Sequence, residues 1–356
     1  MKRLMTMLMS LLIIIFILAG INWKFSAQSG TTTNDQTLVI YNWGDYIDPE
    51  LLDKFTEETG YKVSYMTFDS NEAMYTKIKQ AGTAYDIAVP SEYMIEKMKE
   101  ENLLIKLDHH KINGLENIDS KFLNLSFDKN NDYSIPYFWG TLGIAYNTKM
   151  VDQEIEHWED LWNPDLKNDI MLIDGVREVI GFGLNTQGAS TNSTNKEEIN
   201  AAYEHLKLLS PNVKAIVADE IKQYMISGEA AVAVTFSGEA AEMVWENEDI
   251  KYVVPSEGGN LWFDNLVIPK TSKNPELAYA FINFMLEPEN AAQNAEYIGY
   301  ATPNEKSIPL IDPKITSDTQ FYPKEETLEN LEVYQNLGSE WLSFYNDKFL
   351  EFKMYR

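Results

Sequence analysis

Apolar positions along the chain follow three patterns. The first is an 18-residue apolar stretch from Leu4 to Ile21, interrupted only by Thr6 and Ser10 and preceded by Lys2 and Arg3. As a helix it would be roughly 27 Å long, marginally enough to cross a bilayer. From Leu38 onward short β-branched and aromatic runs take over: Leu38 to Tyr41, Tyr85 to Val89, Val232 to Phe236, Tyr252 to Val254 and Leu266 to Ile268. These predict buried strands. The third pattern has helical period, as in Pro49 to Thr59, Met94 to Glu100 and Glu276 to Leu286. In the last of these, Leu277, Ala278, Phe281, Phe284 and Met285 share one face behind the entry signal Asn274-Pro275. Strands alternating with helices predict an α/β fold. No repeat at the periods of solenoids or propellers is visible, and the low-complexity patch from Ser190 to Asn195 is expected to be a surface loop.

Charge divides the chain near the same place. Residues 1–29 carry three bases and no acid; the remainder carries 26 bases against 55 acids, a net of -29 where the whole chain has -26. A basic start, an apolar stretch and an acidic body predict export, with the body outside the cytoplasmic membrane. Residues 1–29 are then a signal peptide or an N-terminal membrane anchor, and residues 30–36 a polar linker. The stretch exceeds the usual signal-peptide core and no A-x-A site follows it, which favours the anchor. Leu18-Ala19-Gly20 resembles the start of a lipoprotein box, but Ile21 stands where a cysteine is needed. With no cysteine in the chain, disulfides, thiol nucleophiles and thiolate metal sites are excluded. The negative balance argues against nucleic acid as a partner.

Several motifs fail on inspection. Gly181-Phe182-Gly183 lacks the third glycine of a dinucleotide turn, since Thr186 occupies it. Asp128, Asn130 and Asp132 have the first spacings of a calcium loop, but Tyr133 replaces its glycine and Trp139 its bidentate acid. His109, His110, His157 and His205 have no zinc spacing and read as surface residues. No G-x-S-x-G elbow is present. Neither a cofactor nor a metal is expected.

Aromatic residues placed beside acids at strand ends remain. Asn42-Trp43-Gly44-Asp45-Tyr46 follows the first strand and Pro90-Ser91-Glu92-Tyr93 follows another, the position at which open α/β sheets bind ligands. In Leu261-Trp262-Phe263-Asp264 the period of two in a strand points Trp262 and Asp264 to one face. Ring faces attract ammonium groups and carboxylates fix them, so this combination suits an organic cation. Arg177 is the sole arginine between Arg3 and Arg356, leaving little with which to grip an anion.

At these residues the sequence resembles the substrate-binding proteins of spermidine/putrescine ABC importers. The resemblance runs from about Leu38 almost to the C-terminus. It is carried by Tyr41-Asn42-Trp43 with Tyr46, residues 68–75 (FDSNEAMY), residues 85–91 (YDIAVPS), residues 132–137 (DYSIPY) with Trp139-Gly140, Trp262-Phe263-Asp264, and Ile298-Gly299-Tyr300 with Thr302-Pro303-Asn304. It implies a two-lobed periplasmic-binding-protein fold of type II-like form, with mixed sheets flanked by helices and a ligand cleft between lobes. The first lobe is expected at 37–143 plus 264–310 and the second at 144–263 plus 311–356. By the same resemblance Trp43, Tyr46, Tyr93, Trp262 and Tyr300 are aromatic walls. Ser91 and Gln335 hydrogen-bond amines, and Glu178 and Asp264 are acidic anchors. Two positions depart: Gly175 stands where spermidine-binding relatives often carry an aspartate, and Phe236 where they carry a tryptophan, which leaves the choice between spermidine and putrescine open. The implied function is capture of polyamine without catalysis and delivery to an ABC permease. Alternatives are a binder of another small cationic or neutral solute, a polyamine sensor, and a glycoside hydrolase using Glu178 and Asp264 as its carboxylate pair.

Overall fold

The run Leu38 to Tyr41 forms the buried interior of β1 (Thr37–Trp43) in the computed structural model, which describes residues 37–218 and 220–355. The membrane segment and linker expected at 1–36 lie outside the described residues. No helix among the described residues is long and apolar enough to cross a membrane. The other strands are β2 (Lys62–Phe68), β3 (Ile87–Ala88), β4 (Ser134–Asn147), β5 (Ile170–Ile173), β6 (Val213–Val217), β7 (Val232–Phe236), β8 (Ile250–Val253), β9 (Gly259–Val267) and β10 (Leu331–Glu332). Their order is β2-β1-β3-β9-β4-β7-β5-β6, with β8 added to β4 and β10 to β9. The sheet is mixed: β1–β3, β5–β6, β5–β7 and β9–β10 are parallel, whereas every described pairing of β4 is antiparallel.

β4 connects two interiors. All of its residues are buried. Its first part, Ser134 to Thr141, pairs with β9; its second, Leu142 to Asn147, pairs with β7 and β8. The apolar contacts change at the same point. One core contains residues from 38–139 and 262–311, including Trp139 and Trp262; others begin at Leu142 and Ala145 and take in residues from the 142–254 range and the C-terminal segment. The architecture is thus α/β and two-lobed, with β4 and β9 running through the junction.

The helices that matter below are α1 (Pro49–Thr59), α2 (Asn71–Lys79), α3 (Glu92–Glu100), α4 (Val176–Asn185), α5 (Ser237–Glu246), α6 (Pro275–Leu286) and α7 (Gly338–Tyr355). α1 has the expected bounds, and its ends are chemically marked: the Asp48 side chain accepts from the Glu50 N–H, Pro49 opens the first turn, and Gly60 closes it at φ 75°. α6 buries the expected face, and Tyr279, Ile282 and Leu286 as well, so it is enclosed on most sides. Two expectations shift. The strand expected over Tyr85 to Val89 shortens to β3. At its start Asp86 turns its carboxylate onto the backbone, accepting from the Val39 N–H at 3.0 Å and from Ser272 Oγ at 2.7 Å; at its end Pro90 has no N–H to give. The patch Ser190 to Asn195 is a loop, but Thr191 and Ser193 are buried, Thr191 being held by Glu332.

Candidate ligand-binding site

Asp264 projects from β9 and is 6 % exposed. Its two oxygens are divided between hydroxyl donors: Ser91 Oγ donates to Oδ1 at 2.6 Å and Tyr46 Oη to Oδ2 at 2.7 Å. No lysine or arginine among the described residues pairs with it. Burial pushes its carboxyl up to about 6, against the opposing pull of those two hydroxyls. Ser91 is the N-cap residue of α3, but its side chain makes no capping bond to the helix. It is held by Asn71 at the start of α2, whose Nδ2 donates to Ser91 Oγ at 3.0 Å and whose Oδ1 accepts from the Ser91 N–H at 3.1 Å.

A file of rings begins at Tyr46 and runs toward the second lobe. Tyr46 meets Tyr300 edge to face at 5.5 Å, Tyr300 meets Trp262 at 5.0 Å, and Trp262 meets Phe236 at 6.1 Å, all steeply inclined. Phe236 ends β7 and packs against both lobes' cores. Tyr300 lies over Gly238 in the first turn of α5, where a Cβ would collide with the ring. Glycine there lets an aromatic of one lobe rest on a helix start of the other. The Trp262 indole N–H is buried without an acceptor in the protein. Trp43 is not part of this file: its Nε1 donates to the Val89 carbonyl at 2.9 Å and its ring is tilted on Phe68 at 4.6 Å.

Glu178 lies in the first turn of α4, as its position after Asp174-Gly175 predicts. Its carboxylate folds back over Gly175, into the space that a Cβ at 175 would require. Burial raises its pKa; its own backbone N–H and Arg177 oppose the shift, and the neighbouring Glu72 adds to it. Tyr93 donates from Oη to Glu72 at 3.3 Å, and its phenol is raised by burial and by the charges of Glu72 and Glu178. The structure therefore brings Tyr46, Ser91, Trp262, Asp264, Tyr300 and Phe236 into one connected cluster, with Tyr93 and Glu178 a short electrostatic step away. Gln335 is exposed and is tied in through its backbone: its N–H donates to Asn192 Oδ1 at 2.9 Å and its carbonyl accepts from Arg177 Nη1 at 3.2 Å.

Sequence reasoning gave Glu92 and Arg177 no role in the site. Glu92 is fully buried; Oε2 accepts from the Phe263 N–H at 2.9 Å and Oε1 has no partner. Burial pushes it up to about 8; nearby Asp264 adds to the shift, and backbone N–H groups and Arg177 oppose it. It sits between Ser91 and Tyr93, which the sequence did single out, so the signal was adjacency alone. Arg177 is 5 % exposed, and its guanidinium lies 4.3 Å from the Tyr334 ring centre. Its donors go to the Thr191 and Gln335 carbonyls and to Asn192 Oδ1. It supports the second lobe's side of the site and lends its charge to Glu92 and Glu178, but not to Asp264.

Two lobes joined by long strands, with a buried acid and a file of rings where they meet, define a solute-binding protein of the two-lobed class. The chain belongs to the bacterial extracellular solute-binding protein family, whose model matches residues 50–323. It is 42% identical over 308 residues to the spermidine/putrescine-binding periplasmic protein of Escherichia coli K12, covering 86% of this chain and 88% of that one. Among solved structures it is similar to a putative spermidine/putrescine ABC transporter protein from Listeria monocytogenes (63% identity, TM-score 0.87, 90% of this chain and 100% of that chain). It is also similar to the spermidine/putrescine ABC transporter substrate-binding protein PotD of Streptococcus pneumoniae (62% identity, TM-score 0.82, 90% and 99%).

Proposed function

We propose that this chain captures a polyamine, spermidine or putrescine, between its lobes and delivers it unchanged to an ABC transporter permease. The observation that carries this reading is Asp264: a carboxylate buried among rings, stabilised by hydroxyls alone and without a protein cation. An ionised acid in that setting is costly unless a cation completes it. An ammonium supplies the charge, and its methylene chain lies against rings that attract cations by roughly 0.5–2 kcal/mol each. The names of the relatives at 42% and above support the same ligand class.

In this reading Asp264 with Ser91 and Tyr46 takes one ammonium and Glu178 a second. Trp43, Tyr93, Phe236, Trp262 and Tyr300 line the path between them, and Gln335 closes over it. The separation of the two acids then measures amine spacing. The lobes are assigned as 37–143 with 264–310 and 144–263 with 311–356. The body works on the outer face of the cytoplasmic membrane, tethered by residues 4–21 or released after cleavage. Its acidic surface draws polycations toward the cleft. Calorimetric titration with spermidine and putrescine tests the proposal: saturable one-to-one binding of at least one of them is expected, and heats no larger than dilution for both would overturn it.

A further inference from the structure

Residues 331–336 run as a strap beside the candidate site, and most of its fastenings lie on one side. β10 pairs with β9 at Gly259 and Asn260. The Glu332 carboxylate accepts from Ser190 Oγ and from the N–H and hydroxyl of Thr191 at 2.6–2.9 Å. Asn192 Nδ2 donates to the Val333 carbonyl at 2.9 Å, and Arg177 holds the Gln335 carbonyl while covering Tyr334. After the strap the chain enters α7, whose Tyr345, Phe349 and Phe352 are buried in the second lobe's core. The hydrogen-bonded anchors up to Gln335 thus lie in the second lobe or in β9.

Asn336 is different. Its N–H donates to Glu96 Oε2 at 2.9 Å and its Nδ2 to Glu100 Oε2 at 3.0 Å, both on α3 of the first lobe. Its own Oδ1 accepts from the Gly338 N–H at 3.2 Å, which orients the side chain. Glu96 and Glu100 are four apart and so share a helix face, presenting two carboxylates to one residue. Hydrogen bonds to ionised acceptors are the stronger kind, and these two span the lobes without using any group assigned to the ligand.

We infer that Asn336 and the Glu96–Glu100 pair form a latch between the lobes that sets how slowly a captured solute is released. This rests on the capture reading for its ligand, but the latch itself is a property of the lobes. Arg177 is a positioning residue in the same device: by holding the strap it keeps Gln335 over the cleft and Asn336 in register with α3.

Stopped-flow tryptophan fluorescence with spermidine on the full chain, comparing Glu96→Ala/Glu100→Ala with Glu96→Gln/Glu100→Gln, tests it. The alanine pair should release ligand about five- to tenfold faster, the loss expected for two partly exposed charge-assisted bonds. The glutamine pair keeps an acceptor oxygen at each position but loses the charge, and should release at an intermediate rate, faster than wild type and slower than the alanine pair. Both pairs should slow association equally through lost charge. Unchanged release in the alanine pair, or equal acceleration in both pairs, overturns the latch. Small-angle scattering of the ligand-free proteins separates this from failure of the polyamine reading. A larger radius of gyration is expected for the alanine pair than for wild type; no difference overturns the latch whether or not spermidine binds.

Discussion

Two aspartates of the first lobe, Asp128 and Asp264, are almost equally buried at 1 % and 6 % exposure, yet the protein treats them differently. Asp128 is completed from within. Its Oδ2 accepts from the N–H groups of Tyr133 and Ser134 and from Ser134 Oγ at 2.7–2.9 Å, and Lys99 Nζ lies 3.3 Å from Oδ1. Asp264 has two hydroxyls, no backbone N–H and no cation. A buried charge needs compensation, so an acid that the protein compensates itself is part of the structure, and the proposed reading has a ligand complete the one at Asp264. The failed calcium-loop spacing at Asp128 fits the same distinction: the loop that seemed to lack a ligand's turn is closed around its acid by its own backbone.

The largest test exchanges each acid for its neutral amide. Asp264→Asn should weaken polyamine binding by roughly 2–5 kcal/mol, as when one partner of a buried charge pair is removed. The ligand-free protein should become more stable. The folded pKa of about 6 lies above the ordinary 3.8, so folding disfavours the ionised form at neutral pH. That strain is at most about 3 kcal/mol for a difference of some two pH units. Asp128→Asn should do the opposite, costing about 2–3 kcal/mol of stability by removing the charge that the Tyr133 and Ser134 donors and Lys99 meet, while leaving affinity intact. Calorimetry and thermal unfolding of the two variants read both halves. Equal effects on stability would erase the comparison.

A pH series sharpens it. Asp264 must be ionised to hold an ammonium, so its contribution to affinity should be flat above the carboxyl's value near 6 and fall below it by up to tenfold per pH unit. Ligand-free stability moves the other way: the cost of ionising Asp264 disappears as pH falls from about 6 through the ordinary aspartate range. Titrations between about pH 7.5 and pH 5 check the first statement, and denaturant midpoints over the same range the second. The gap in stability between wild type and Asp264→Asn should narrow to about half by pH 5 and close only below the ordinary aspartate value of 3.8.

Much of this arrangement could be read from the chain. Alternation in β9 places Trp262 and Asp264 together, and the turn before α4 puts Glu178 at a helix start. What could not be read depends on contacts between distant segments. Glu92 opens α3, where an acid is ordinarily solvated; it is buried because the Phe263 N–H reaches it from 171 residues away. Arg177 stood out as a lone cation among many acids, but its burial is decided by the Thr191, Asn192 and Gln335 acceptors that surround it. Asn336 and Glu96 are 240 residues apart, and neither carries a local pattern that would pair them. The Tyr85 to Val89 run has strand composition throughout, yet the Asp86 carboxylate takes the Val39 N–H in place of a backbone carbonyl, and Pro90 has no N–H to donate. Periodicity reports which face is buried; it does not report which buried polar group will find a partner.

The smallest test removes one hydroxyl. Tyr46→Phe keeps the ring and its contacts with Tyr137, Phe138 and Tyr300, and the Tyr46 carbonyl still accepts from Tyr137 Oη at 2.8 Å. What is lost is the donor to Asp264 Oδ2. In the empty site this should cost about 1 kcal/mol, the usual worth of one hydrogen bond. In the filled site the ammonium can take the vacated lone pair, so affinity at neutral pH should change by no more than a similar amount. The sharper readout is the pH at which affinity begins to fall. With one of its two stabilising hydroxyls gone, the Asp264 carboxyl holds its proton more tightly and the fall should begin at higher pH than in wild type. The same substitution cannot move the profile if Asp264 is compensated by some other group, because Tyr46 would then contribute little to its charge. An unshifted profile in Tyr46→Phe would therefore place Asp264 with Asp128, as an acid the protein completes for itself.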